Sequence, residues 1–339
     1  MSAAPFKDDA IRENPHPAGS RHSMPGQGGR ARISKKSVAL LLLASLIWGF
    51  AFVAQSQGMD HMPPFSFNGS RYFLGFLVLL PLVLWRYKNA RRKGGTGKYN
   101  KDLLIGGLIC GVVLAVATNF QQVGIIHTTV GKAGFITTLY IIIVPLMGVF
   151  LKRKVDGLIW AAALLAAAGL YLLCINEGFT LNRGDLYILI SAFVFSVHIL
   201  LIAHFAPRVD GIALSLMQFF VAGLISISIG FPLEQPAPSD FLAAIWPLAY
   251  VGILSTGGAF TLQIIGQRGA DPAVASLIFS LEAVFAALGG FLILGESLSG
   301  RELAGCAIML AAVALSLLTP KNGQRFKRPP VYLPICRER

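Results

Sequence analysis

DPAVASLIFSLEAVFAALGGFLIL, residues 271–294, is the stretch that decides the fold. It opens on Asp271-Pro272, a helix cap followed by proline at the first helical position. The residues after Pro272 carry a single charge, Glu282. A helix rises 1.5 Å per residue, so about 20 such residues cross a hydrocarbon core about 30 Å thick. A helix this apolar belongs in a bilayer.

The rest of the chain repeats this pattern. Ten apolar segments are read at 37–57, 65–85, 102–123, 129–151, 156–175, 184–205, 211–231, 241–266, 272–294 and 300–319. Hydrophobic residues make up 55% of the 339, and only 13% are charged. Mean hydropathy is +0.66. Soluble domains carry about 25% charged residues, so an ordinary soluble enzyme is excluded, as are disorder and collagen-like repetition. No run alternates with a ten-residue strand period, which excludes an outer-membrane barrel. Lipid satisfies no backbone hydrogen bond, so the spans must be helices. The expected fold class is an all-α integral membrane protein with ten transmembrane helices.

The boundaries carry cap chemistry. Asp102, Asp156, Asp185 and Asp240 stand at the openings of helices 3, 5, 6 and 8, as N-caps would. Pro63-Pro64 precedes helix 2. Pro145 and Pro247 fall inside helices 4 and 8 and predict kinks there. Residues 1–36 are polar, basic and rich in Gly and Pro, and read as a disordered cytoplasmic tail; 320–339 form a second basic tail. No A-x-A site follows the first apolar run, which argues against a signal peptide. Cys110, Cys174, Cys306 and Cys336 form no CxxC pair, so neither a disulfide framework nor a zinc site is indicated.

The net charge is +13. The basic residues cluster between apolar segments rather than on a soluble face, which rejects nucleic acid as the partner and leaves the lipid bilayer. With the N-terminus in the cytoplasm, 25 of the 29 Lys and Arg lie in cytoplasmic segments. This bias predicts both termini inside, in a cell inner (plasma) membrane.

The two halves repeat each other. Arg71-Tyr72-Phe73 matches Gln218-Phe219-Phe220 at an offset of 147. Ala117, Gln121 and Gly124 match Ala259, Gln263 and Gly266 at 142; Thr137 and Gly157 match Ser280 and Gly300 at 143. The repeats span 37–175 and 184–319, five helices each. An odd number inserts the second copy upside down, the five-plus-five inverted topology of secondary transporters that work by alternating access.

The sequence resembles the EamA type of the drug/metabolite transporter superfamily. The resemblance rests on Ser45-Leu46-Ile47-Trp48-Gly49, Arg71, the run from Thr128-Thr129 to Gly134, and Ser280-Leu281-Glu282-Ala283-Val284-Phe285 leading to Leu294-Gly295-Glu296. It covers about residues 37–319. The family usually has proline after the helix 9 Glu, where this chain has Ala283. The resemblance implies ten helices, two repeats and transport of small organic solutes, commonly by export; no cofactor is expected.

Candidate site residues follow from polar groups inside apolar helices. Glu282 lies about 15 Å into helix 9, near the midplane. Ala275, Ala286, Gly289 and Gly290 share its side, a small-residue stripe that lets helices pack closely. It is either a proton-coupling carboxyl or a hydrogen-bonded structural acid. Arg71 and Lys132 lie toward the outer ends of helices 2 and 4. They either bind a substrate carboxylate or phosphate, or snorkel to the interface. Asn119, Gln121, Gln122 and Gln263 either line a substrate cavity, the repeat-matched Gln121 and Gln263 being the better candidates, or only hydrogen-bond between helices. Trp48, with Phe52, Tyr140 and Phe285, could form an aromatic wall. His198 is either a proton relay or structural.

The rival function is an integral-membrane enzyme acting on lipid or lipid-linked substrate. No GxSxG, HExxH or Walker A motif is present, and the outer loops are short. No filter or charge ring suggests a channel. A secondary transporter of a small molecule is the leading expectation, and Glu282 is its candidate proton carrier if transport is proton-coupled.

Overall fold

The computed structural model describes residues 33–92, 101–128, 130–174, 182–294 and 297–319. The expectations for residues 1–32, for residues 93–100 of the basic 86–101 loop, for Gly295-Glu296 and for 320–339 fall outside these. Among the described residues ten helices are long and apolar enough to cross a membrane, and no strand occurs. They are α1 (Lys35–Met59), α2 (Pro64–Ala90), α3 (Lys101–Ile126), α4 (Gly131–Phe150), α5 (Gly157–Cys174), α6 (Arg183–Phe205), α7 (Gly211–Glu234), α8 (Ile245–Gln267), α9 (Pro272–Ile293) and α10 (Gly300–Leu317). The protein is an all-α, multi-pass membrane protein. We call the end of the bundle where α1 begins the near end, and the opposite one the far end.

Local chemistry sets the helix starts. Asp271 Oδ1 accepts from Ala273 N at 2.9 Å and caps α9; Asp156 Oδ1 accepts from Leu158 N at 2.9 Å and caps α5. Asp210 caps α7, accepting from Ile212 N and Ala213 N at 3.0 Å. Three aspartates expected as caps are first-turn residues instead. Asp102 follows Lys101, the first residue of α3. Asp185 is the third residue of α6: Asn182 is the cap, and each side chain bonds the other's backbone N–H in a capping box. Asp240 belongs to a separate short helix, Pro238–Ala243, so α8 starts at Ile245 and not at 241.

The proline kinks also differ from expectation. Pro247 sits in the first turn of α8, where a missing N–H breaks no helical bond. Pro145 lies inside the second segment of α4, and the break comes earlier, at Thr138-Leu139. α9 breaks at Ser280. At each break a hydroxyl bonds back to its own helix. Thr138 Oγ1 donates to Gly134 O at 2.9 Å, and Ser280 Oγ donates to Leu277 O at 2.8 Å. Such back-bonding competes with the helical ladder and bends it. Residues 250–260 of α8 are wound as a π-helix, a form that concentrates at functional sites.

Helices of the two halves pack on each other in exchanged pairs. α2 packs on α7 and α5 on α10. α3 packs on α6 as α8 packs on α1, and α2 meets α8 as α7 meets α3. Glycines permit the closest approaches. A Cβ on Gly305 of α10 would lie 2.6 Å from Gly169 O of α5. A Cβ on Gly49 of α1 would lie 2.7 Å from Glu282 O of α9. Lipid drives no burial between helices, so contact of this kind is what holds them.

The α2–α7 pair is tied at both ends. At the far end Glu234 accepts from Phe65 N (3.0 Å), Ser66 N (2.7 Å) and Ser66 Oγ (2.6 Å), capping α2 from another helix. At the near end Arg86 Nη2 lies 2.9 Å from Asp210 Oδ2, the α7 cap.

Candidate functional site

A cavity opens between the halves. Its lining includes Trp48, Phe52 and Gln55 of α1, Arg71 of α2, Thr118 and Gln121 of α3, and Thr137 and Tyr140 of α4. The second half supplies Phe195, His198 and Ile199 of α6, Ser255, Phe260 and Gln263 of α8, and Phe279 and Glu282 of α9. The breaks in α4 and α9 and the π-wound part of α8 therefore face this space, whereas the π-helical turn Gly290–Leu294 at the end of α9 lies outside it. Irregular backbone at membrane depth is tolerated where it lines a cavity.

The two breaks meet here. Thr137 and Ser280 are 143 residues apart, the repeat offset, and the segments that follow them carry Tyr140 and Glu282. Tyr140 Oη donates to Glu282 Oε1 at 2.8 Å and joins α4 to α9. Glu282 is 5% exposed. Gly49 sets its position, because the α1 backbone rests against the Glu282 carbonyl and Ala286 N. Ser45 Oγ adds a contact to Ile278 O at 2.9 Å, just ahead of the break.

Arg71 is 3% exposed, so it does not snorkel to an interface. Its Nη1 donates to Gln55 Oε1 at 2.8 Å and its Nη2 to Tyr72 Oη at 3.4 Å. Its guanidinium lies 5.1 Å from the Tyr72 ring centroid. Nε has no partner, and among the described residues no carboxylate lies within 4.0 Å of this arginine. A buried cation is costly unless paired and hydrogen-bonded, and only neutral groups share this one.

The other polar candidates divide by location. Gln121 Nε2 donates to Thr137 Oγ1 at 3.2 Å inside the cavity lining. Trp48 stands edge-on to Phe260 (4.9 Å between centroids) and Phe279 (5.3 Å), with Nε1 unpartnered. His198 Nε2 lies 3.1 Å from Gln218 Oε1. Gln263 and His198 line the cavity with Gln263 Oε1 and His198 Nδ1 unpartnered.

Two candidates lie elsewhere. Lys132 Nζ is 3.7 Å from Asp185 Oδ2, at the far-end junction of α4 and α6, where Thr128 Oγ1 also donates to Asp185. Asn119 accepts from Asn68 Nδ2 at 2.8 Å and donates to Ser226 Oγ at 2.9 Å, a scaffold link between α2, α3 and α7. Neither is in the lining, nor are Gln122 and Phe285.

Gln55, Thr118, Phe195, Ser255 and Phe260 line the cavity and were not singled out in the sequence. The repeat held a signal for three of them. The offset of 147 pairs Trp48 with Phe195, and that of 142 pairs Thr118 with Phe260. Among the described residues no group of three His, Cys, Asp or Glu could hold a metal ion.

Comparison with known proteins now bears on the geometry. The EamA-like transporter family matches residues 35–175 and, a second time, 182–318. An uncharacterized transporter of Archaeoglobus fulgidus is 30% identical over 300 residues, covering 85% of this chain and 88% of its own. The uncharacterized inner membrane transporter YedA of Escherichia coli K12 is 26% identical, covering 86% of this chain and 93% of its own. A solved crystal structure with 21% identity is similar in fold, with a TM-score of 0.68 over 83% of this chain and 98% of that one. With transporters among its relatives and ten spans around a central cavity, the chain belongs to the EamA-like transporter family and is a membrane transporter.

Proposed function

We propose that the protein is a secondary transporter that exports a small organic carboxylate by alternating access, with Glu282 as the proton carrier. Arg71 is the observation that carries this reading. A buried guanidinium with neutral partners in a central cavity is a site prepared for an anion. The lysine and arginine count supports a topology with both termini in the cytoplasm, taking the membrane to be the cell inner membrane. Export is the direction that the family resemblance implies. Alternating access draws support from the exchanged helix pairs and from breaks at repeat-matched positions in α4 and α9. Glu282 is suited to carry a proton because it shares the cavity and is held by Tyr140, a hydroxyl that can accept as well as donate.

Proteoliposomes containing the pure full-length chain test the reading. Flux of small aromatic carboxylates is compared with that of their uncharged amides, with and without a proton gradient. The acids are expected to move and to accumulate with the gradient, and the amides are not. Glu282→Gln is expected to exchange acid across the membrane without concentrating it. Full accumulation by Glu282→Gln excludes the proton role, and equal flux of amides excludes the anion site.

A further inference from the structure

The anion reading leaves another part of the cavity unused. His198 of α6 is fully buried in the lining, its ring edge-on to Phe260 at 6.2 Å. Its Nε2 lies 3.1 Å from Gln218 Oε1, and with the Gln218 oxygen turned to the ring the proton is assigned to Nε2. In that tautomer Nδ1 is a bare lone pair. Nδ1 has no partner among the described residues, and neither does Oε1 of the buried Gln263. Both residues line the cavity. Buried polar atoms are nearly always hydrogen-bonded, so two unpartnered acceptors in one cavity lining call for a donor from outside the chain.

The character of that donor follows from what is near. Neither His198 in this tautomer nor Gln263 bears a charge, and the one lining carboxyl, Glu282, already accepts from Tyr140. A cationic donor gains no ion pair from these two acceptors, whereas a neutral O–H or N–H loses little on leaving water and gains an acceptor. The same lining that holds these acceptors and Arg71 carries an aromatic cluster in which Trp48 stands edge-on to both Phe260 and Phe279.

We propose that His198 and Gln263 form an acceptor subsite that selects solutes bearing an uncharged hydrogen-bond donor, separated by a flat apolar body from the carboxylate held at Arg71. This rests on the transporter reading above. It adds a selection rule: the transported acid is a hydroxy or amide-bearing acid rather than a plain hydrocarbon acid.

The test uses the detergent-purified full chain and three matched sets of probes. These are benzoate, phenylacetate and 3-phenylpropionate, each plain, 4-hydroxy and 4-methoxy, with binding read by calorimetry. At the ring-to-carboxylate length that fits, the hydroxy acid is expected to bind at least about tenfold tighter than the plain acid. The methoxy acid, which can only accept, is expected to show no gain. Gln263→Leu and His198→Gln, which reaches the Nε2 position but leaves no acceptor at that of Nδ1, should each cut the hydroxy preference to under about threefold while the plain acid still binds. The wild-type ratio needs no variant, so a variant that fails to fold leaves the test intact. Equal binding of plain and hydroxy acids, both lost in Arg71→Gln, overturns the acceptor subsite and leaves the anion site standing. A methoxy preference also overturns it, because it assigns donors to these residues. Binding of none of the nine acids removes the anion site and the subsite with it.

Discussion

In the first half of the chain, Arg71 on α2 reaches Gln55 on α1. In the second half, Gln218 on α7, 147 residues after Arg71, meets His198 on α6. Both couples join the first two helices of their repeat through a buried polar contact. The link is common to both halves and the charge is not, so packing does not require a cation at this level of the bundle. Arg71 thus adds to one half what the scaffold can do without in the other, and the cavity is electrically lopsided as a result.

The largest expected effect comes from making the halves alike in charge. Gln218→Arg adds a second buried cation beside His198 and should destabilise the protein by about 3 kcal/mol. Thermal unfolding in detergent measures it. A variant as stable as the parent would mean that both sites tolerate charge and that the asymmetry is not electrostatic.

The reverse exchange sharpens the comparison. Arg71→Gln gives both halves a neutral couple, and stability should hold or rise because an unpaired buried charge is gone. Carboxylate affinity should fall about a hundredfold, the loss of charge-assisted hydrogen bonds worth about 1.5–3 kcal/mol each. Flux with affinity unchanged would remove Arg71 from the site. Arg71→Lys keeps the charge but loses the planar fork, so a weaker effect of about tenfold is expected in the same assay.

The smallest effect belongs to the polar groups outside the cavity. Asn119→Ala should cost about 1 kcal/mol of stability, since it unties Asn68 and Ser226. It should leave acid affinity where it was. A changed affinity with unchanged stability would bring Asn119 back into the site.

Particular residues show what the sequence could reveal. The ten spans were legible because bilayer thickness sets a length and composition that no soluble helix shares. Asp185 was misread because Asn182, an equally good cap, stands three residues earlier, and spacing cannot rank the two. The breaks at Thr138-Leu139 and Ser280 carried no proline to mark them, and the hydroxyls that bond back there look ordinary in an apolar run. Arg71, Gln121, Gln263 and Glu282 stood out as polar groups in apolar helices. Their common cavity, and the separate place of Lys132 with Asp185, depend on contacts between residues far apart in the chain.

The carboxylate of Glu234 has a consequence for biosynthesis. It caps the first amides of α2, yet it is synthesised 168 residues after Ser66. When the ribosome has completed α5, the start of α2 still lacks its cap, and α3 still lacks α6 and α7. The first half is therefore a waiting intermediate rather than a finished unit. Splitting the gene between α5 and α6 should yield two fragments that accumulate only when made together.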